Sequence, residues 1–325
     1  MEQSRVVIED GRPGEDPRRR MAAEVGESLR AVPPWLPSKY FYDDRGSELF
    51  EAITRLPEYY QTRTEERLLE RVAGGIVETV RPRELLELGS GAGRKIRLLL
   101  ASMARRGLLD RCTLLDINRT FLEASARRLA GEFEGLEVRG IVGDFTRDLV
   151  HLAPADGRLA IFLAGTFGNL RPALIPAFLS SVRGTLGGGG AFLVGLDLVK
   201  DPRVLEAAYN DASGVTQEFN LNILRVLNER LGADFDLGSF EHVAFFDPLN
   251  AWIEMRVRAL RPMTVAIPGA GLTLGLAGGQ EIRTEISCKY TRESFAAHLP
   301  AAGLALWRWY TDPEGRFALA LVRAV

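Results

Sequence analysis

The sequence predicts a doubly wound α/β fold with a mostly parallel, seven-stranded sheet. From residue 84 to residue 199, short apolar runs typical of buried parallel strands alternate with amphipathic helical segments. The first run, 84–88, leads through a glycine-rich stretch into a helical pattern, as at the nucleotide-binding opening of such folds. At the C-terminus, a helical segment precedes two strand-like runs joined by PEGR. This ending predicts an antiparallel hairpin that closes the sheet.

The predicted elements follow in a regular order. After the glycine-rich stretch, the strand-like runs are 112–118, 138–145, 159–167 and 191–199, and the helical segments between them are 94–106, 119–133 and 172–186. After residue 199 the alternation stops: 200–231 has helical spacing and 240–290 has the pattern of antiparallel strands. We therefore expect an inserted α+β unit before the fold resumes.

Composition narrows the class of protein. The 325 residues carry a formal net charge of -2, which argues against a nucleic-acid partner. The two cysteines, Cys112 and Cys288, lie in apolar runs and are expected to be buried free thiols of a reducing compartment. His151, His242 and His298 lack metal-ligand spacing, so we expect no metal. Without a membrane-length apolar run or a signal core, we expect a cytoplasmic monomer that takes a small-molecule substrate.

The glycine spacing points to a particular cofactor. Gly89, Gly91 and Gly93 follow the acid Glu87 at every second position. A dinucleotide fingerprint would place its third glycine where this chain has Arg94. An acid followed by G-x-G-x-G instead resembles the first motif of class I S-adenosylmethionine (SAM) methyltransferases. The spacing favours SAM over a dinucleotide, with an ordinary glycine-rich turn as the other alternative.

Polar residues at the predicted strand ends match the parts of SAM. Asp116 suits the ribose hydroxyls, or alternatively caps the next helix. Asp144 and Phe145 suit the adenine, or alternatively form a turn beside the core. Lys95 opposes the dipole of its helix and could pair with the carboxylate of SAM, although a solvated lysine also fits. Glu87 could orient backbone amides or balance the positive charge of SAM.

Longer motifs lie outside the glycine loop. In order they are KYFYDDRGSELFEAITRLPEYYQTR (39–63), ELGSGAGRKIRLLL (87–100), GDF (143–145), GTFGNL (165–170), LVGLDLVKD (193–201), AYND (208–211), GVTQEFNLNIL (214–224), ADFD (233–236), IEM (253–255) and TEISCKY (284–290). Together they resemble the histidine Nα-methyltransferases of ergothioneine biosynthesis, which trimethylate the α-amino group of L-histidine to hercynine. The resemblance extends from about residue 33 to the end of the chain.

The resemblance implies a set of site residues. Its cofactor contacts fall on Gly89, Lys95, Asp116, Asp144 and Phe145. Its histidine-binding positions fall on Tyr59, Thr166, Asn169, Tyr209, Met255, Glu285 and Ser287. Tyr42 and Asn169 are the residues we expect to act in catalysis, with Tyr42 or water carrying the proton of the amine.

These residue types suit the implied substrate. Asn169 and Tyr209 could hold the backbone end of the amino acid through neutral hydrogen bonds. Glu285 and Ser287 are two residues apart on a predicted strand, so they face the same way and suit an imidazole N–H. Met255 offers a soft wall for the ring. Without the resemblance, the pattern alone favours a solvated strand face for the first pair and core packing for Met255.

One departure from the family concerns the backbone. Ala164 stands where the family usually has glycine, next to the predicted substrate loop. Alanine is tolerated there if φ is negative, so only fine positioning would change.

We expect the following domains and function. Residues 63–199 and 288–325 form the SAM-binding methyltransferase domain, 31–62 and 200–287 form a discontinuous substrate-binding domain, and 1–30 form a disordered tail. The expected reaction is trimethylation of L-histidine. The alternatives are a sister enzyme that methylates another amino acid or a tryptophan-derived amine, and a non-catalytic sensor of SAM or an amino acid.

Overall fold

A computed structural model describes residues 5–91 and 93–325, and it confirms the predicted α/β fold. The strands are β1 (Val6–Asp10), β2 (Glu84–Leu88), β3 (Arg111–Asp116), β4 (Glu137–Val142), β5 (Arg158–Phe162), β6 (Ala191–Asp197), β7 (Phe240–Asp247), β8 (Trp252–Ala259), β9 (Met263–Ile267), β10 (Leu272–Leu276), β11 (Glu281–Cys288), β12 (Leu304–Thr311) and β13 (Phe317–Ala324). The α-helices are α1 (Pro17–Arg30), α2 (Asp44–Ile53), α3 (Tyr60–Val80), α4 (Ile96–Ala104), α5 (Arg119–Glu132), α6 (Ile175–Thr185), α7 (Pro202–Ala207), α8 (Val215–Leu231) and α9 (Arg292–Ala296).

The large sheet has eight strands in the order β1-β4-β3-β2-β5-β6-β13-β12. The strands from β1 to β6 in this order pair in parallel, whereas β13 pairs antiparallel with both β6 and β12. The closing hairpin is therefore confirmed. The sheet exceeds the expected seven strands because β1 adds to its edge beside β4. The strand order reverses between β2 and β5, which is where open α/β sheets bind their ligands.

Burial explains the apolar strand sequences. Every residue of β2 and of β6 is buried, as a parallel sheet covered on both faces requires. On one face, Leu159 and Ile161 of β5 belong to a core that includes residues of α3, α4 and α5. On the other face, Phe162 packs against Phe178 of α6 with ring centroids 5.1 Å apart. The near-continuous apolar runs of the sequence follow from this two-sided cover.

The start of the chain differs from the sequence expectation. Residues 1–30 were expected to be a disordered tail, but β1 pairs with β4, and Gly11 N donates to Val142 O at 2.9 Å. Arg12 Nε donates to the buried carboxylate of Asp148 at 2.6 Å. The expectation is wrong for these residues because strand pairing with a segment far along the chain orders them. Residues 1–4 lie outside the described part of the chain.

Helix α1 also falls within the expected tail. Asp16 caps it by accepting from Arg18 N at 2.9 Å. Met21, Val25 and Leu29 recur at a spacing of four residues and are buried in an apolar core. The arginines and acids between these three residues give the segment a polar composition, so its composition alone does not indicate the apolar stripe.

The chain forms two compact units. We call the first the sheet unit, which comprises the described part of Met1–Pro13, Gln61–Val199 and Cys288–Val325. We call the second the insert unit, Gly14–Tyr60 and Lys200–Ser287. The main difference from the bounds expected from the sequence lies near the N-terminus, where residues 5–13 belong to the sheet unit and α1 belongs to the insert unit.

The insert unit contains the aromatic-rich segment that precedes α3. Its strands form a three-stranded sheet, β11-β8-β7, and a separate β9–β10 hairpin. Phe41 stacks on Phe219 of α8 with ring centroids 4.5 Å apart. The two parts of the unit, although separated in sequence, therefore share one apolar core. Among the described helices, none combines the length and the apolar character that crossing a membrane would require.

A buried ion pair joins the N-terminal ends of β2 and β5 in the sheet unit. Arg158 Nη2 lies 3.1 Å from Glu84 Oε2, and both side chains are buried. Arg158 Nη1 also donates to Ala153 O and Thr185 O at 2.8 and 2.9 Å, and Thr113 Oγ1 donates to Glu84 at 2.9 Å. Because neither charge can reach water, each depends on the other.

We expect Arg158→Met to lower the free energy of unfolding by about 3–5 kcal/mol, because it leaves the Glu84 carboxylate buried without its cation. Denaturant unfolding measures the loss. Arg111→Met is the control, since Arg111 is exposed and its replacement should cost less than about 0.5 kcal/mol. A loss no greater than that of the control would contradict the role of the pair.

Candidate active site

The glycine loop between β2 and α4 has a backbone that only glycine adopts readily. Gly89, Gly91 and Gly93 have φ values of 70°, 45° and 64°. Other residues are strained in this left-handed region, which explains why the glycines occur at alternate positions. Gly89 N donates to Leu115 O at 2.8 Å, so the loop is joined to the end of β3.

Asp116 holds the loop from the neighbouring strand. Its Oδ2 accepts from Gly91 N at 3.0 Å and its Oδ1 accepts from Asn118 N at 2.9 Å. Helix α5 is capped by Asn118, which accepts from Phe121 N at 3.1 Å. The alternative in which Asp116 caps this helix is therefore wrong. Burial raises the pKa of Asp116, although the N–H groups of Asn118 and Gly91 favour the carboxylate.

Two polar atoms beside the loop point to a ligand. Glu87 Oε2 and Ser90 Oγ are buried and have no hydrogen-bond partner within residues 5–91 and 93–325. Burial raises the pKa of Glu87 well above its usual range, the charge of Lys95 opposes this, and the nearby Asp116 and Glu65 add to it. Buried polar atoms without protein partners are expected where a bound group supplies the hydrogen bond. A cationic or hydroxyl-bearing group fits this environment.

Lys95 is not a solvated lysine. Its side chain is 12% exposed, and its ammonium forms an ion pair with Glu65, which is fully buried on α3. The solvated alternative is therefore wrong. The ammonium lies just before α4, on the same loop as the three glycines.

Phe145 and Asp144 follow β4. A side chain on Gly89 would meet Phe145 Cε1 at 3.7 Å, so this ring lies against the glycine loop. Asp144 is buried, and its Oδ1 accepts from Thr146 N at 2.9 Å and from Thr146 Oγ1 at 2.6 Å. Asp144 therefore forms the turn that the sequence analysis gave as the alternative to adenine binding. A contact from Asp144 to adenine stays a prediction.

The turn after β5 has an unexpected backbone. Ala164 has φ of 63°, so the condition under which alanine would be tolerated, a negative φ, is not met. Alanine in the left-handed region costs about 1–2 kcal/mol relative to glycine. Its N–H donates to both oxygens of Glu65, at 3.0 and 2.8 Å. The predicted residues Thr166 and Asn169 begin and end the next turn, and Thr166 Oγ1 donates to Leu163 O at 2.9 Å.

The other predicted substrate residues belong to the insert unit. Tyr209, Met255, Glu285 and Ser287 are all buried, and Tyr209 Oη donates to Ser287 Oγ at 2.8 Å. The solvated strand face that the pattern alone favoured for Glu285 and Ser287 is therefore wrong. Met255 belongs to the apolar core of the unit. Its contact with an imidazole ring stays a prediction.

Tyr42 and Tyr59 lie at an aromatic cluster in the same unit. The Tyr42 ring meets Phe50 and Phe219 edge-on, with centroids 5.8 Å apart in each case. Phe50 meets Tyr59 edge-on at 6.1 Å. Two aromatic partners limit the motion of the Tyr42 ring, which carries the hydroxyl predicted to act in catalysis.

A hydrogen-bonded chain behind Tyr209 was missed by the sequence analysis. His242 Nε2 donates to Tyr209 O at 2.8 Å, and His242 Nδ1 accepts from Asn220 Nδ2 at 2.8 Å. Asn220 Nδ2 also donates to Arg256 O at 2.9 Å, and Asn220 Oδ1 accepts from Thr284 Oγ1 at 2.6 Å. These partners fix one neutral tautomer of His242. Because Thr284 precedes Glu285, the chain connects the backbones of two predicted substrate residues.

Glu65 was also missed, because nothing in its local sequence marks it. It lies in TRTEERLLERV, where several acids share the pattern of a surface helix. The structure thus brings the predicted cofactor residues together at one edge of the sheet unit, with Thr166 and Asn169 on the turn after β5. The remaining predicted residues are in the insert unit. Among the residues described, no cluster of three His, Cys, Asp or Glu side chains could hold a metal ion.

Known proteins resemble this chain over nearly its whole length. A family model described as "Histidine-specific methyltransferase, SAM-dependent" matches residues 21–324. A histidine N-alpha-methyltransferase of Mycolicibacterium smegmatis is 43% identical over 92% of this chain and 93% of its own. One of Mycobacterium tuberculosis is 41% identical with the same coverage. Ergothioneine biosynthesis protein 1 of Neurospora crassa is 33% identical over 66% of this chain and 26% of its own.

We expect the stability of the protein to fall as the pH is lowered from about 7.5 to about 5, around the ordinary histidine pKa of ~6.5. Burial lowers the pKa of His242, and protonation would remove its acceptor for Asn220. A lowered folded pKa gives stability that is present above the unfolded pKa and lost as the pH falls. Denaturant unfolding across this range should show a weaker pH dependence for His242→Gln.

The matched variant is His298→Gln. Burial also lowers the pKa of His298, but this residue belongs to the sheet unit and not to the hydrogen-bonded chain behind Tyr209. Its effect should be smaller, since His298 is less buried than His242. An unchanged pH dependence in His242→Gln would contradict the assignment.

Proposed function

The chain belongs to the histidine-specific, SAM-dependent methyltransferases, and we propose that it transfers methyl groups from SAM to the α-amino group of L-histidine. Three successive transfers give Nα,Nα,Nα-trimethyl-L-histidine, which is called hercynine. This reaction is the first step of ergothioneine biosynthesis. The observation that carries the proposal is the match to histidine-specific relatives over 92% of the chain, with 43% identity. The alternative acceptors, another amino acid or a tryptophan-derived amine, are not favoured by these relatives.

The residues of the sheet unit fit SAM. Bound SAM supplies an electrophilic methyl group on a sulfonium centre, together with an ammonium, a carboxylate and a ribose diol. The buried Glu87 oxygen and Ser90 hydroxyl without protein partners suit its positive and hydroxyl-bearing parts. The carboxylate of Asp116, held at the end of β3 by the N–H groups of Gly91 and Asn118, suits the ribose hydroxyls. Lys95 would pair with the carboxylate.

The adenine would lie between Asp144 and Phe145. Phe145 already contacts the position of Gly89, so its ring offers an apolar face beside the loop. The carboxylate of Asp144 is held by Thr146, which fixes its direction. A fixed acceptor beside an apolar face suits the exocyclic amino group of adenine.

The acceptor would be held by neutral and acidic groups. Glu285 and Ser287 suit the imidazole N–H, and the hydrogen bond from Tyr209 orients the Ser287 hydroxyl. Asn169 and Tyr209 would hold the backbone end of histidine through neutral hydrogen bonds, and the resemblance adds Tyr59 and Thr166 to the substrate contacts. Met255 would pack on the ring.

Methyl transfer needs alignment more than acid or base strength. The neutral amine must lie in line with the S–CH3 bond, and holding two reactants in this way can contribute on the order of 7–11 kcal/mol. Asn169 would orient the amine. The proton that the amine loses would pass to water, either directly or through the Tyr42 hydroxyl, which would take up this proton as it gives its own to water. The aromatic contacts of Tyr42 keep its hydroxyl in one place.

The direct experiment incubates the protein with methyl-labelled SAM and each of the protein amino acids, with mass spectrometry to count added methyl groups. We expect L-histidine to gain one, two and then three methyl groups on its α-nitrogen, and L-tryptophan to gain none at equal concentration. Label on another amino acid in preference to histidine would contradict the proposal.

We expect Glu285→Ala to raise the histidine KM by about tenfold or more, the cost of one hydrogen bond to a charged group, while the SAM Kd stays unchanged. Steady-state kinetics and calorimetry measure the two constants separately. The control is Glu281→Ala. Glu281 is an acid of the same strand, but its carboxylate pairs with Arg256 and Arg258. A histidine KM equal in both variants would remove Glu285 from the site.

A further inference from the structure

Glu65 is a buried acid whose contacts reach two parts of the sheet unit. Its side chain is 0% exposed, although a carboxylate is costly to bury. It lies near the start of α3, far in sequence from the glycine loop and from the turn after β5. Neither the family match nor the roles proposed above give it a function.

The carboxylate bridges Lys95 and the backbone of Ala164. Its Oε2 forms the ion pair with the ammonium of Lys95, and both oxygens accept from Ala164 N, at 3.0 and 2.8 Å. Lys95 belongs to the predicted cofactor residues. Ala164 begins the backbone that leads to Thr166 and Asn169, which belong to the predicted substrate residues.

The surrounding backbone leaves room for this carboxylate. A side chain on Gly195 of β6 would place its Cβ 1.9 Å from Glu65 Oε1, so only glycine allows the carboxylate at this point. Ala164 and Gly165 have φ values of 63° and 67°, and alanine is strained in this region. The double acceptor at the Ala164 N–H therefore holds a turn that its own sequence disfavours.

We propose that Glu65 is a positioning residue that sets both the Lys95 ammonium for the donor and the 164–169 turn for the acceptor. The proposal rests on the proposed function for its acceptor part. Its donor part stands without it, because S-adenosylhomocysteine (SAH) binding can be measured with no acceptor present.

Glu65→Gln separates the two contacts. The amide keeps one oxygen for the Ala164 N–H but presents an NH2 group to Lys95. We expect the SAH Kd to rise about tenfold by calorimetry, the loss of one charge-assisted hydrogen bond, with the histidine KM within about twofold at saturating SAM. Glu65→Ala removes both contacts, so the SAH Kd and the histidine KM should both rise about tenfold.

Two second-site variants distinguish positioning from a general loss of structure. In a Lys95→Met background, Glu65→Gln should change the SAH Kd by less than about twofold, because the ammonium it positions is absent. In an Ala164→Gly background, the rise in histidine KM caused by Glu65→Ala should shrink to about twofold, since glycine adopts the turn unaided. Glu70→Gln, at an exposed acid of the same helix, is the matched control and should change neither constant.

Equal effects of Glu65→Gln with and without Lys95 would overturn the donor part. An undiminished KM effect in the Ala164→Gly background would overturn the acceptor part. If the single variants do not fold, as judged by thermal unfolding, the pair Glu65→Gln/Lys95→Met decides, because it buries no net charge. SAH binding by this pair as tight as that of the unaltered protein would overturn the donor part, and a SAH Kd about tenfold higher than that of the unaltered protein supports it.

If the unaltered protein binds SAH but does not methylate histidine, the proposed function fails while the donor part of this inference is still tested.

Discussion

The hydrogen bond from Gly91 N to Asp116 Oδ2, 3.0 Å long, closes the loop on which the rest of the cofactor region depends. It joins the turn after β2 to the end of β3. The loop can follow this path because its alternate glycines take positive φ. With the loop closed, Phe145 lies against Gly89, and Lys95 begins α4 beside Glu65. One contact between neighbouring parallel strands therefore sets the positions of residues that are far apart in sequence.

Charge balance is the second constraint on this region. Glu65, Glu87 and Asp116 are buried acids, and the charges of Glu65, Asp116 and Lys95 all act on Glu87. Burial raises the pKa of Glu87 and Asp116, which means that the protein alone does not fully stabilise their charged forms. SAM carries an ammonium and a sulfonium against one carboxylate, so its net positive charge complements such a group. The same excess of acids would disfavour the pyrophosphate of a dinucleotide.

Behind Tyr209, the insert unit is held by neutral hydrogen bonds instead. The chain from Thr284 through Asn220 and His242 to the backbone of Tyr209 has each donor matched to an acceptor. Such a network fixes directions without burying net charge. The Tyr209 hydroxyl in turn orients Ser287, and the backbone of Tyr209 is held by His242, which has no predicted substrate role.

The sequence by itself determined the features that local residue patterns encode. These are the parallel sheet with its closing hairpin, the glycines that need positive φ, and Asp116 at the end of β3. Resemblance added the remaining substrate residues, which no spacing rule would have selected. Only the tertiary structure decided that Val6–Asp10 form strand β1, that Ala164 takes positive φ, and that Glu65 and His242 are buried partners of site residues. Each of these depends on pairing between segments far apart in the chain. The sequence does not distinguish a carboxylate or an imidazole exposed to water from one bonded to a buried N–H, because the environment of the side chain is set by the fold and not by its neighbours in sequence.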